Sequence, residues 1–280
     1  MSIDLHAHTA ASDGTTPPGE LGALAREAGL DVVAITDHDT TAGWARAAAA
    51  LPPGVSLVRG AEVSCSAEGV SLHLLAYLFD PGEPAFAAAR AALRESRRTR
   101  AQRMVDSLAA AGTGVTWEQV QDLAGGTVGR PHVAQALLAA GCVPTLADAF
   151  TPEWIGTGGR HWAGKLELDV QEAIGLVRAA GGVCVFAHPG ASARGRTVSD
   201  AAVVAMAGAG LAGLEVDHVD HTEQARSHLR GLAAGLGLLT TGSSDFHGGN
   251  KTVALGAHTT SPEVYEALVG QASGVPVVSG

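Results

Sequence analysis

Side chains able to hold metal ions recur in this chain at the ends of apolar runs. "SIDLHAH" closes with His6 and His8 in His-x-His spacing, and Asp13 follows in "TAASDG". "VVAITDHD" supplies Asp37, His38 and Asp39, "LVRGAEV" Glu62, and "SLHLL" His73. "VFAHP" supplies His188, and "TTGSSDFH" supplies Asp245 and His247. Imidazole and carboxylate donors without a thiolate suit Mn, Fe or Zn better than Mg or Ca alone. Such ions favour hydrolysis. They lower the pKa of bound water towards ~7, which provides a hydroxide nucleophile, and they act as Lewis acids on phosphoryl oxygens. A single strand-end histidine is weak evidence, because most are hydrogen-bonded structural residues. The joint recurrence is a many-part motif and carries more weight.

For these residues to meet, strands must aim them at one place. Alternation along the first run sets Asp4, His6 and His8 opposite Ile3, Leu5 and Ala7. Further strands are predicted at "DVVAITDHD", "VSLVRGAEV", "VSLHLLAYLF", "GGVCVFAHP", "LAGLEVDHV" and "LGLLTTGSSDFH", with alanine-rich helical stretches between most of them. "PPGELGALAREAGL" is one such helix, with Pro17 suited to its first turn and Gly29 to its end. Alternation of strands and helices predicts a parallel sheet with crossover helices. About seven such units predict an α/β barrel, whose strand C-termini converge on one mouth. From about Gly82 to Gly159 no strand signal occurs, and helices are predicted around "PAFAAARAALRESRRTRAQRMVDSLAAAG", "TWEQVQDLA", "RPHVAQALLAAG" and "LADAF". The expected organisation is therefore a barrel from 1–82 and 160–280 carrying an all-helical insertion, 83–159.

With 280 residues, 46 % of them apolar and 16 % charged, the chain has a globular, soluble composition. Its apolar stretches are too short to span a bilayer, and Asp4 and His6 interrupt any signal-peptide core. A cytoplasmic protein without membrane contact is expected. Cys65, Cys142 and Cys184 form no Cys-x-x-Cys pair and read as core residues. A net charge of −10 argues against stable duplex DNA binding, so an anionic substrate must be gripped locally. Arg90, Arg94, Arg97, Arg98, Arg100 and Arg103 cluster on one predicted helix, and Arg100 and Arg103 share a face at i,i+3 spacing. Arg130 and His132 flank Pro131 at a helix start, where anions are favoured. Glu215 lies near a strand end and can support a ligand, whereas His218 and His221 read as loop and helix-start residues. No Gly-x-Ser-x-Gly elbow is present, which disfavours a serine hydrolase.

"DLHAHTAASDG", "AITDHD", "GAEVS", "HLLAY", "AHP" and "SDFHG", in this order, resemble the PHP (polymerase and histidinol phosphatase) family over essentially the whole chain. The resemblance implies a distorted (β/α)7 barrel, phosphoester hydrolysis, and two or three divalent metal ions, Mn first and Fe or Zn next. It implies that Glu62 bridges two metals. His6, His8 and Asp245 would complete one site, His73 and His188 a second, and Asp13, His38 and His247 a third. Glu62, Asp245 and His188 are the residues expected to carry catalysis. Asp4, Asp37 and Asp39 are candidates to orient imidazoles from behind. The helical insertion with its Arg-Pro-His segment resembles one subgroup, the stand-alone phosphatases of 3′,5′-bisphosphate nucleotides, some of which also act as 5′→3′ exoribonucleases on short RNA. Phosphate contacts then fall on Arg100, Arg130 and His132, and on Arg103 and Lys165. The alternatives are histidinol-phosphate or cyclic-phosphate hydrolysis on the same barrel, and a non-catalytic metal-binding docking module.

Overall fold

The structure, a computed structural model, describes all 280 residues, leaving aside the side chain of Arg194. Its strands are β1 (Ile3–Asp4), β2 (Val32–Ile35), β3 (Ser56–Ala67), β4 (Val70–Tyr77), β5 (Leu168–Asp169), β6 (Val183–Phe186), β7 (Gly213–Asp217), β8 (Leu239–Gly242) and β9 (Val278–Ser279), short except for β3 and β4. They form one sheet in the order β1-β2-β3-β4-β6-β7-β8, with β5 and β9 each added to β3. Beyond β8, Phe246 pairs with Ala7 beyond β1, and this bridge nearly closes the sheet into a barrel.

β2 shows how sequence produces two buried faces. Val32 and Ala34 point into one apolar cluster with Ile3, Leu5, Val58, Leu75 and Tyr77. Val33 and Ile35 point into another, shared with the helices outside the sheet. Burial on both faces explains why the strand reads as a continuous apolar run. The outer layer comprises α1 (Leu21–Glu27), α2 (Trp44–Ala49), α6 (Val170–Ala179), α7 (Asp200–Ala209), α8 (Glu223–Leu236) and α9 (Pro262–Val269).

The sheet departs from the all-parallel expectation at β4, which is antiparallel to both β3 and β6. Its connection to β3 is Glu68–Gly69, with φ of 51° and 68°. A two-residue turn of this kind makes a hairpin and cannot carry a crossover. In consequence Glu62 and His73 lie within long strands rather than at strand ends, with Glu62 opposite Leu75 and His73 opposite Ser64.

Between Tyr77 and Leu168 the chain is helical, with α3 (Pro84–Ala110), α4 (Trp117–Leu123), α5 (Arg130–Ala139) and a 3-10 turn at Ala147–Phe150. The carboxylate of Glu83 caps α3 by accepting from the Ala85 and Phe86 amides, and Pro84 occupies its first position. The 27-residue helix belongs to two cores. Phe86 and Leu93 pack with the barrel, whereas Ala101, Met104, Val105 and Leu108 pack with Val120, Val133, Leu137 and Ile155. Among the described residues, no helix is long and apolar enough to cross a membrane.

Candidate metal centre

Three sharp left-handed residues follow strands at the barrel mouth: Asp39 after β2, His188 after β6 and Asp245 after β8, with φ of 56°, 35° and 54°. Such backbone persists where the surroundings impose it, typically at functional sites. Here the reversals coincide with the convergence of His6, His8, Asp13, His38, Glu62, His73, His188, Asp245 and His247, whereas Asp37 and Asp39 turn away.

Glu62 is central. Its Oε1 lies 2.8 Å from His73 Nδ1 and 3.1 Å from His188 Nε2. Its Oε2 lies 3.0 Å from His8 Nε2, 3.2 Å from His38 Nδ1 and 3.4 Å from His6 Nε2. One oxygen therefore faces each side, as a bridging carboxylate requires. Asp245 Oδ1 lies 3.4 Å from His6 Nε2, 3.5 Å from His8 Nε2 and 3.4 Å from His247 Nδ1. Asp13 sets Oδ1 at 3.4 Å from His8 Nδ1 and 3.5 Å from His247 Nε2, and Oδ2 at 3.5 Å from His38 Nε2.

Donor atoms within 4.8 Å of one another form three groups: His6, His8 and Asp245; His8, Asp13, His38 and His247; and His38, Glu62 and His73. The first and the second, apart from the added His8, reproduce two of the expected sets. The remaining group draws in His38, while His188 keeps contact through Glu62.

These residues fit divalent cations. His6 and His8 point their Nε2 atoms at each other across 3.1 Å, and His38 Nδ1 is buried without a hydrogen bond. Asp13, Glu62 and Asp245 are all buried, and buried carboxylates require compensating charge. Burial pushes each carboxyl upward, but neighbours overcome it and hold all three well below the usual range. Those neighbours are His38 and His247 for Asp13, His73 and His38 for Glu62, and Lys251 and His6 for Asp245. Burial, then the Arg97 cation, lowers His38 to about 4, and burial, then His8, lowers His247 to about 3. Both shifts favour the neutral ring, the form that ligation demands. His6 differs: burial opposes its charge, but Glu215, Asp245 and Glu62 carry it well above the ordinary histidine value.

Glu215, on β7, supports the cluster from behind. Its Oε1 lies 3.0 Å from His6 Nδ1, and its Oε2 accepts the His188 amide at 2.7 Å. A carboxylate can only accept, so His6 donates from Nδ1, and Nε2 is left to face the cluster. Burial raises the Glu215 carboxyl, but His6 brings it down to about 2.

Asp4, Asp37 and Asp39 do not orient imidazoles. Asp4 accepts the amides of Ser244 and Gly256, and Asp37 accepts the Thr9 amide and the Thr9 and Ser12 hydroxyls. Asp39 binds Ser64 and Arg97. Asp37 and Asp39 flank His38 in sequence, so their side chains leave in other directions and brace the loops instead. Two contributors escaped the sequence reading. Lys251 Nζ sits 2.6 Å from Asp245 Oδ2, and His218 Nε2 lies 3.4 Å from the same oxygen. Lys251 carries no motif signal, whereas "EVDHVDH" offers one for His218, which reads from the sequence as a loop residue instead.

A cavity of about 530 Å³ opens beside Asp13, His38, His73 and His188, and its far wall carries Arg97, Arg100, Arg130 and Lys165. Arg100 is buried, its Nε has no hydrogen-bond partner, and its guanidinium forms no ion pair among the described residues. Burial, then Arg97 and Arg130, bring it down to about 9. Burial and Arg97 bring Lys165 to about 8 despite its 2.9 Å bond to Glu167. Arg130 reaches Thr157 Oγ1 at 3.3 Å and lies 5.7 Å from the Phe150 ring centre. Arg103 and His132 do not line this cavity. Arg103 donates to the Gly164 carbonyl, while His132 Nδ1 accepts the Gly129 amide and caps α5.

Comparison with known proteins agrees with this geometry. Residues 4–115 match the PHP domain. The chain is 34 % identical over 257 residues to a 3′,5′-nucleoside bisphosphate phosphatase of Chromobacterium violaceum, covering 88 % of this chain and 87 % of that protein. It is 34 % identical over 246 residues to a 5′-3′ exoribonuclease of Haemophilus influenzae, covering 87 % and 89 %. A solved structure of a candidate metal-dependent phosphoesterase from Bifidobacterium adolescentis superposes with a TM-score of 0.91 at 38 % identity, over 97 % of this chain and 96 % of that one. A barrel mouth crowded with imidazoles and carboxylates, on a chain with these relatives, belongs to the PHP family, and the protein is a hydrolase of phosphoester bonds.

Proposed function

We propose that this enzyme removes phosphate from nucleotides that carry a second phosphate, either 3′,5′-bisphosphate nucleotides or the 5′ ends of short RNA. In this reading His6, His8, Glu62 and Asp245 hold one divalent cation, and Glu62, His73 and His188 a second. Asp13, His38 and His247 hold a third, with Mn²⁺ the first candidate throughout. When bound, such ions supply a hydroxide nucleophile at neutral pH and neutralise phosphoryl charge. The protein's own groups do the rest. Glu215 holds His6 and the backbone of His188. Lys251 and His218 hold Asp245 Oδ2, which leaves Oδ1 facing the imidazoles. The helical segment 83–159 acts as a recognition cap.

The observation that carries the choice of substrate is Arg100, a buried guanidinium without an ion-pair partner among the described residues, in the cavity beside the metal-capable cluster. Leaving it so is costly unless an anion completes it. With Arg130 and Lys165 it forms a local cationic wall in a chain of net charge −10. Arginine grips phosphate through two donors at once. Arg100→Ala and Arg130→Ala should each raise KM for adenosine 3′,5′-bisphosphate by about one to two orders of magnitude, matching roughly 1.5–3 kcal/mol for a hydrogen bond to a charged group. An aryl phosphate lacking the second phosphate should be hydrolysed at an unchanged rate. Equal losses on both substrates would move these residues from recognition to the fold, and no loss on either would leave the cationic wall without this task.

A further inference from the structure

The metal-capable groups are not all anchored by the barrel. His6 and the His188 backbone are held by Glu215 on β7, and Asp245 by His218 and Lys251. Asp13, His38 and His247 are held differently, because each is tied to the helical segment.

His38 is tied through its neighbour. The Asp39 carboxylate accepts the Ser64 amide at 2.7 Å, the Ser64 hydroxyl at 2.8 Å and Arg97 Nε at 2.6 Å. Arg97 Nη2 also donates to Ser64 Oγ at 2.7 Å, and Arg94 Nη1 to the Asp39 carbonyl at 2.8 Å. Both arginines lie on α3. They clamp a residue whose φ of 56° turns the chain directly after His38, and whose amide donates to the Glu62 carbonyl at 3.0 Å. Arg97 is therefore occupied on the protein itself, unlike Arg100 one turn later.

The Asp13 loop meets the segment between α4 and α5. The Thr127 amide donates to the Ala11 carbonyl at 2.8 Å, and a Cβ on Gly126 would lie 2.1 Å from that same oxygen, so the two backbones touch. From α5, Gln135 Nε2 donates to Asn250 Oδ1 at 2.7 Å, and Asn250 Nδ2 donates to the Asp13 carbonyl at 2.8 Å. Asn250 belongs to the 3-10 turn that starts directly after His247. One side chain thus joins the Asp13 loop, the His247 turn and α5.

We infer that the helical segment assembles the Asp13–His38–His247 cluster, with Arg97 and Gln135 as positioning residues, so that this chain's capacity for a further divalent cation depends on it. The inference rests on the proposed reading of those three residues as ligands. It gives the helical segment a task separate from substrate recognition, and it separates Arg97 from Arg100 by function.

The test is metal stoichiometry by mass spectrometry after equilibration at graded free Mn²⁺, for wild type, Arg97→Met, Arg97→Lys, Gln135→Ala and the control Arg98→Ala. Arg98 is exposed and pairs with Glu95 of its own helix. Arg97→Met and Gln135→Ala should bind one equivalent about 10- to 100-fold more weakly and leave the other equivalents in place, the usual cost of losing a group that orients a ligand. Arg97→Lys should recover part of the loss, and Arg98→Ala should match wild type. Melting curves in chelator report folding separately. If Arg97→Met does not fold, the half-buried Gln135 decides the matter. Full retention of every equivalent by Gln135→Ala and by any folded Arg97→Met would overturn the inference, as would uniform weakening of all equivalents. A wild type that takes only two equivalents would also overturn it, together with the third cation of the proposed reading, and would leave the proposed phosphatase activity intact. A wild type that takes none would instead sink the reading of the cluster as a metal centre.

Discussion

Glu62 divides its two oxygens between His73 and His188 on one side and His6, His8 and His38 on the other. Glu62→Gln keeps the shape, removes the charge and turns one acceptor into a donor facing imidazoles. Metal content should fall, and turnover should drop by about two to three orders of magnitude, the scale of losing one preorganised electrostatic partner. Circular dichroism should show the barrel intact. Full metal occupancy at the wild-type rate would take Glu62 out of the mechanism. His6 supports a second expectation. Burial opposes its charge, but Glu215, Asp245 and Glu62 carry it well above the ordinary histidine value, so the metal-free site favours the protonated ring. Ligation requires the neutral ring, so metal binding must expel that proton, and affinity should rise with pH until His6 is already neutral. Titration calorimetry in buffers of different ionisation enthalpy should show net proton release on metal binding at pH 7. Heats independent of the buffer would contradict this.

At the scale of elements, the residues of the site were more legible than the way they are presented. His6 and His8 were readable from their His-x-His spacing after an apolar run, although β1 itself ends at Asp4 and only the Ala7–Phe246 bridge continues it. Glu62 and His73 were identifiable as residue types, but the hairpin that places them within β3 and β4 was obscured by the alternation of strands and helices. The turn Glu68–Gly69 was the local sign of it. Arg97 and Arg100 could not be separated by spacing, since both are arginines on one helix. What distinguishes them is Asp39, distant in sequence, whose carboxylate pairs with Arg97 and not with Arg100. Lys251 had no signal, because its role depends on the 3-10 turn that folds it back onto Asp245. The contact of the helical segment with the Asp13 loop can be probed at Gly126. Gly126→Ala would drive a Cβ to 2.1 Å from the Ala11 carbonyl. It should cost about 1–3 kcal/mol of stability through overpacking and lower the melting temperature by a few degrees. An unchanged melting temperature would show that the two backbones are not held together.

For the whole molecule, the barrel mouth concentrates buried carboxylates and imidazoles packed against one another. A cation that binds only the folded chain stabilises it by mass action, about 2.7 kcal/mol at a hundredfold excess over Kd. Chelation should therefore lower the melting temperature, and readded Mn²⁺ should restore it. A melt indifferent to chelator would mean that the cluster holds no stabilising ion. The most direct test of the central claim is a product-resolved assay of adenosine 3′,5′-bisphosphate with the metal-replete protein, the chelated protein and Glu62→Gln, run beside histidinol phosphate. The metal-replete protein should release one inorganic phosphate and accumulate the nucleoside monophosphate, faster than it acts on histidinol phosphate, while the other two samples stay near background. A metal-replete protein inert on the bisphosphate, or a chelated protein equally active, would contradict the account.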